Sequence, residues 1–194
     1  MLRPPYWLHK NIKIPDEEIE QVIDGLKRCS KELTARQYPV LSSYFFKMHQ
    51  RPDKIWQKKY SNIVKDITKE VGLYTNSRYE FEYWCQYYTT GKKHDAHEHT
   101  SLLMNFGMIS FVHFLKNTEG KEFQFTDRVG NTFVPPEQNE GDLICMPSWC
   151  WHEVRPTINN KERFVIAGNI VITEMSPPAD EQQHKFISNN GYNL

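Results

Sequence analysis

The six residues HDAHEH at positions 94–99 hold three of the chain's eight histidines, His94, His97 and His99. Neutral imidazole is a common metal ligand, and its ordinary pKa lies near neutrality. Extended backbone sends residues i and i+2 to the same side, so His97 and His99 can face one ion while Glu98 faces away. Two imidazoles spaced this way are half of a site, and a third ligand has to come from elsewhere in the fold. The stretch GDLICMPSWCWHEVRP offers one: Gly141 and Asp142 turn the chain into a short apolar strand, Pro147 ends it, and His152 follows where a barrel mouth would be. Three imidazoles with open coordination positions suit iron, copper, nickel or zinc, and residue type alone does not choose among them. His94 and His113, taken singly, read as ordinary surface or core groups.

Arg163, eleven residues beyond His152, opens the run RFVIAGNIVI. By alternation Arg163, Val165, Ala167 and Asn169 share one face of a strand, and Phe164, Ile166 and Ile170 share the other. If the first set lines a barrel, a guanidinium points inward, which is costly unless it meets a carboxylate in bidentate geometry. The alternative is an ordinary solvent-facing arginine at a strand start.

The elements that must position these groups fall into two stretches. Asp16 to Cys29 predicts a helix after Pro15, with acidic residues in its first turn and Ile19, Val22, Ile23 and Leu26 along one face. A second helix is expected from about Pro52 to Val71, with Ile55, Trp56, Tyr60, Ile63, Val64 and Ile67 on one side. From Tyr79 onward aromatic and β-branched residues come in short runs broken by glycine, proline and asparagine. Strands are expected at Glu80 to Thr89, Gly107 to Leu115, Glu122 to Phe125, Asn131 to Val134, Asp142 to Met146 and Arg163 to Thr173. The fold class is therefore mainly β with N-terminal helices (α+β), the strands forming a jelly-roll barrel. The 194 residues read as one domain. Residues 1–78 form a mostly helical scaffold, 79–175 the barrel core and 176–194 an irregular tail.

Composition narrows the partners. Lysine plus arginine and aspartate plus glutamate number 24 each, so no net field draws nucleic acid or anionic lipid, and an anion has to be held locally. No run of about 18 apolar residues is present and no secretory leader is recognisable. The four cysteines form no CxxC pair, which argues against a zinc knuckle and for a cytoplasmic, reducing compartment.

Together these pieces resemble the Fe(II)- and 2-oxoglutarate-dependent oxygenases, and more narrowly a branch found in bacteria and phages. The resemblance runs from about Trp84 to Ile172 and rests on WCQYY, the HxH of His97 and His99, ISFVHFL, GDLICMPSWCWHEVRP and the arginine-led strand containing Asn169. It implies a double-stranded β-helix with Fe(II) near one open end, chelated by 2-oxoglutarate whose far carboxylate is bound by Arg163. Carried over by position, His97 and His152 are metal ligands. The family at large has an aspartate or glutamate two residues after the first histidine; here that residue is His99, and three neutral ligands leave the site more positive. Asp95 is the alternative carboxylate ligand. Many members place a serine two residues after the arginine, where this chain has Val165; Tyr87, Tyr88 or Asn169 could share the carboxylate instead.

The activity implied is an oxygenase using molecular oxygen to hydroxylate a peptide side chain or small metabolite. Two other readings stay open: a cupin-type three-histidine dioxygenase that needs no keto acid, and a non-catalytic barrel that serves as a binding module. Trp84 and the rings of Trp149 and Trp151 could flank the pocket, as could Met104 and Asn105. Substrate choice is expected in the segments 38–51 and 130–140, and exposed edge strands favour pairing as a homodimer.

Overall fold

The computed structural model describes residues 3–32, 40–73, 77–100, 108–117, 120–157 and 161–174. In chain order these contain strand β1 (Trp7–Asn11), helix α1 (Asp16–Glu32), β2 (Leu41–Ser42), helix α2 (Gln57–Glu70), β3 (Arg78–Tyr88), β4 (His94–His97), β5 (Met108–Lys116), β6 (Phe123–Thr126), β7 (Thr132–Phe133), β8 (Asp142–Pro147), β9 (His152–Val154) and β10 (Arg163–Glu174). The strands form two antiparallel sheets. The larger has the order β1-β8-β5-β10-β3-β2 and the smaller β4-β9-β6-β7. Connections that alternate between two facing sheets, over an interior packed by alternate residues, make a double-stranded β-helix.

Helix α1 begins where the Pro15 carbonyl accepts from the amides of Glu18 and Ile19 at 3.0 and 3.1 Å. Asp16, Glu17 and Glu18 then stand at the positive end of the helix dipole. Ile19, Val22, Ile23 and Leu26 are all buried. Each contributes roughly 1.5–3 kcal/mol of transfer free energy. The second expected helix is split: Pro52–Trp56 is a 3₁₀ turn, and the α-helix proper starts at Gln57. Three residues per turn shift the phase, so Ile55 comes out 48% exposed while Trp56 and Tyr60 remain buried.

Two apolar layers result. The outer one joins α1 and α2 to the outward side chains of the larger sheet, including Tyr83, Cys85 and Tyr87 from β3 and Phe164, Ile166 and Ile170 from β10. The inner one fills the space between the sheets with Tyr88, Val112, Phe114, Phe123, Phe125, Ile144, Met146, Val154 and Val165. Gly168 is required between them, because a Cβ there would come within 2.3 Å of the Phe111 ring and 2.6 Å of the Glu82 carbonyl.

Four strands lie outside the six expected. β1 pairs with β8, carrying the N-terminal segment into the larger sheet, and β2 pairs with the end of β3. β4 and β9 pair with each other and hold the histidines. Among the described residues no helix is long and apolar enough to cross a membrane. Met104, Asn105, Tyr38 and the segment from residue 176 onward lie outside the described residues.

Candidate metal centre

His97 on β4 and His152 on β9 are directly paired across two antiparallel strands, so both side chains leave the same face of the smaller sheet. Their ring centroids lie 4.4 Å apart. Each ring donates Nδ1–H to the carbonyl two residues earlier: His97 to Asp95 at 2.8 Å and His152 to Cys150 at 2.9 Å. That donation fixes the tautomer and leaves each Nε2 lone pair free to bind a cation.

His99 completes the group. Its amide donates to the Ser148 carbonyl at 2.8 Å, tying the loop after β4 to the turn after β8. Its ring stacks on His152 with centroids 5.1 Å apart and planes 10° from parallel. One ligand atom from each of His97, His99 and His152 lies within 4.8 Å of the others, and this trio is the cluster of metal-ligating type found among the described residues. Burial together with the neighbouring His97 pushes His152 down to about 3 and His99 to about 4. Both are therefore neutral at physiological pH, the state a metal ligand needs.

Asp95 does not join them. Its carboxylate is 84% exposed and paired with Lys93 at 2.7 Å. Only its backbone serves the site, as the acceptor for His97.

Arg163 is wholly buried, and among the described residues Nε, Nη1 and Nη2 have no hydrogen-bond partner. The guanidinium lies between the Tyr88 and Phe114 rings, 5.2 and 5.5 Å from their centroids. Burial lowers its pKa from the ordinary arginine value. It lines the same inner pocket as the three histidines, together with Trp84, Gln86, Tyr88, His94, Val112 and Val165. The charge of Glu122 and the two rings offset part of this burial, but no hydrogen bond does among the described residues, and the pocket beside the guanidinium is where an anion would supply one.

The remaining candidates separate by strand parity. Tyr88 pairs with Arg163 in register and faces the pocket, its hydroxyl 2.8 Å from Gln86 Oε1 and 3.2 Å from His94 Nδ1. Tyr87 cannot share the anion: it leaves the opposite face of β3 and packs against Phe164 and Lys27 beneath the helices. Asn169 shares the inward face with Arg163 but lies toward a second cleft. Its Oδ1 accepts from Ser110 Oγ at 2.8 Å, and its Nδ2 donates to Glu82 at 3.1 Å and lies 3.5 Å from His99 Nδ1.

Trp84 lines the pocket, whereas Trp149, 57% exposed, and Trp151 line neither cavity. His113 is a satisfied core group, receiving the Tyr60 hydroxyl on Nδ1 and reaching the Ile12 carbonyl from Nε2, both at 2.7 Å. His94, read singly as an ordinary group, forms part of the pocket wall, 4.9 Å from His97 ring to ring. Gln86 was also missed, although its parity with Tyr88 on β3 was the signal that could have found it.

No family model matches the chain, and no curated protein matches it in sequence. Solved structures do. A prolyl-4-hydroxylase from Pseudomonas putida superposes with a TM-score of 0.57 at 16% identity, over 86% of this chain and 92% of the other. SnoK, a non-haem α-ketoglutarate-dependent carbocyclase from nogalamycin biosynthesis, gives 0.65 at 8% identity over 94% and 86%. HygX from Streptomyces hygroscopicus, with nickel and 2-oxoglutarate bound, gives 0.57 at 11% identity over 88% and 83%. The fold is the jelly roll of the 2-oxoglutarate oxygenases.

Within this jelly roll the donor set fits a divalent first-row metal, with two tautomer-locked imidazoles and a third ring beside them. The orphaned guanidinium of Arg163 independently fits a carboxylate. At the position two residues after His97, where the resemblance led to the expectation of a carboxylate, the side chain beside the other two imidazoles is His99.

Proposed function

We propose that this chain is an Fe(II)- and 2-oxoglutarate-dependent dioxygenase that hydroxylates a small metabolite or a peptide side chain. The observation that carries the reading is Arg163, a buried cation with no hydrogen-bond partner among the described residues, in the same pocket as three neighbouring imidazoles. A purely structural arginine would be expected to pair, and a metal site without an anionic co-ligand would have no use for one.

In this reading His97, His99 and His152 hold the metal, and Arg163 takes the far carboxylate of 2-oxoglutarate in bidentate geometry. Fe(II), when bound, would supply the redox chemistry by which oxygen converts the keto acid to succinate and carbon dioxide and oxidises a substrate C–H bond. The chain's own contribution is positioning. The Tyr88 and Phe114 rings confine the guanidinium and keep bulk water from it. The backbone carbonyls of Asp95 and Cys150 hold two ligand rings in orientation, so little reorganisation remains when the metal arrives. A single domain in a cytoplasmic, reducing compartment is consistent with four free cysteines and with a core shared between helices and barrel.

Anaerobic titration of the Fe(II)-loaded protein with 2-oxoglutarate is the test. The visible charge-transfer band of the chelate is expected, and a flat difference spectrum rejects the proposal. The three-histidine set favours a second reading, a cupin-type dioxygenase that binds its substrate directly. Oxygen uptake that is indifferent to 2-oxoglutarate would select it.

A further inference from the structure

A second cleft, of about 290 Å³, lies on the other side of Trp84 and shares His94, His97 and His99 with the inner pocket. It is lined by Ser42 at the end of β2, by Tyr44 and Phe45 of the turn that follows, by Trp84 and Asn169, and by the solvent-exposed Glu82. Of the segments expected to select substrate, part of 38–51 is here, whereas no residue of 130–140 lines the cleft. We propose that this cleft seats the organic substrate by a cationic group, an alkylammonium or guanidinium, held by Glu82 against Tyr44 and Trp84. The inference rests on the oxygenase reading for what happens next, but the cation site stands on its own geometry.

Charge is the first argument. Apart from the histidines, Glu82 is the only described lining residue with a formal charge. Its bonded partner there is the neutral Asn169 amide, at 3.1 Å to Oε1, and among the described residues it forms no ion pair. An amide partner offers no opposite charge to the carboxylate. Glu82 is itself exposed to solvent, so its pull on a cation is felt where the neighbouring rings remove part of that water.

The rings are the second. Tyr44 stands edge-on to Trp84, centroids 5.1 Å apart with planes at 67°, forming an aromatic corner in the cleft that Glu82 lines. Tyr44 is 52% exposed although it belongs to a rigid turn, so its ring is presented and not merely left over. That rigidity comes from beneath. The Ser43 hydroxyl donates to Asp53 at 3.0 Å and accepts from the Cys85 amide at 3.0 Å, and Asp53 is paired with Arg51 at 3.1 Å, all buried. A preorganised aromatic corner beside a carboxylate suits ammonium and guanidinium groups.

Reach is the third. From Glu82 the contacts run through Asn169 to His99, at 3.1 and 3.5 Å. A cation seated on Glu82 therefore places a carbon a few bonds away beside the histidines, which is where oxidation would take place. Arg163 lies on the other side, in the inner pocket, so the anionic cosubstrate and the cationic substrate are sorted by charge into different cavities.

The test uses the full chain loaded with Ni(II) and N-oxalylglycine, titrated by ligand-observed NMR with butylguanidinium, butylammonium, butyramide and butyrate. The two cations are expected to bind at least about tenfold tighter than the neutral and anionic probes. Glu82→Gln should abolish that preference, and Glu82→Lys should reverse it toward butyrate. Equal binding of all four probes, or a cation preference that survives in Glu82→Gln, overturns the proposal. The 2-oxoglutarate chelate band is recorded separately on the wild-type protein. Its absence with selective cation binding removes the oxygenase reading alone, and its presence without cation preference removes the cation site alone.

Discussion

His97 and His152 stand directly opposite one another in the β4–β9 pair, each ring anchored through Nδ1 to the carbonyl two residues before it. The repeated anchor leaves two Nε2 lone pairs converging on one point. Such an arrangement gains nothing in the free protein and a great deal once a cation sits there.

Nickel(II), a redox-silent stand-in for iron, should therefore raise the melting temperature. At a free concentration a hundred times its dissociation constant the gain is about 2.7 kcal/mol. His97→Ala and His152→Ala should each weaken binding by more than about 100-fold and abolish the shift. Differential scanning fluorimetry with isothermal titration calorimetry reads both, and an undiminished shift in either variant would remove the site.

The identity of the third ligand gives a sharper contrast. Asp95→Ala should leave nickel affinity within about twofold, because its carboxylate is exposed and paired with Lys93. His99→Ala should lose most of the affinity, and His99→Asp should retain it by restoring a carboxylate to the donor set. If the Asp95 variant is the one that fails, the trio found here is not the metal site.

How much of this could be seen beforehand depended on which physical signal each element carries. The long apolar strands were legible because β-branched and aromatic residues alternate along them. Parity grouped Arg163 with Val165, Ala167 and Asn169 but left open whether that face was inward or solvent-facing; burial of the side chain decides it. β4 and β9 were not foreseen as strands, since HDAH and HEV are short and polar, and their extended backbone is imposed by pairing with each other and with β6. Tyr87 and Tyr88 could not be separated until the register Arg163↔Tyr88 fixed which ring shares the guanidinium's side. The cleft was illegible because the Tyr44 turn is set against β3 by the short β2–β3 pairing and the buried Ser43, Asp53 and Arg51 contacts, which leave no periodic trace in the sequence.

Acid should destabilise the metal-free protein over a definite window. His113 is buried, and burial holds it down at about 4 against an ordinary value of 6.5. The unfolded chain therefore takes up a proton that the folded chain refuses as pH falls from 6.5 to 4, and stability is lost through that interval. For this group alone the loss amounts to about 3 kcal/mol. His99 and His152, also held low by burial and by His97, titrate in the same direction and steepen the fall. Urea unfolding at a series of pH values should show stability rising with pH up to about 6.5. His113→Gln should flatten part of that slope whatever its effect on absolute stability; an unchanged slope would show that His113 is not held neutral.

The last prediction sets stability against function at one position. Arg163 is a buried cation whose nitrogens have no hydrogen-bond partner among the described residues, so in the ligand-free fold its desolvation is offset only in part, by the Tyr88 and Phe114 rings and by the charge of Glu122. Arg163→Met keeps the length and apolar stem between Tyr88 and Phe114 while removing the charge. The variant should be more stable than the parent, by about 1 kcal/mol or more, in the absence of 2-oxoglutarate. The same change should weaken 2-oxoglutarate binding by at least about 30-fold, the cost of losing one partner of a buried charge pair. Nickel affinity without the keto acid should hardly change, since Arg163 touches no ligand ring. Chemical denaturation and calorimetric titration of the nickel-loaded protein measure the two effects separately. A variant that loses stability and keeps its affinity for 2-oxoglutarate would make Arg163 a structural residue, and the inner pocket would then have to be reassigned.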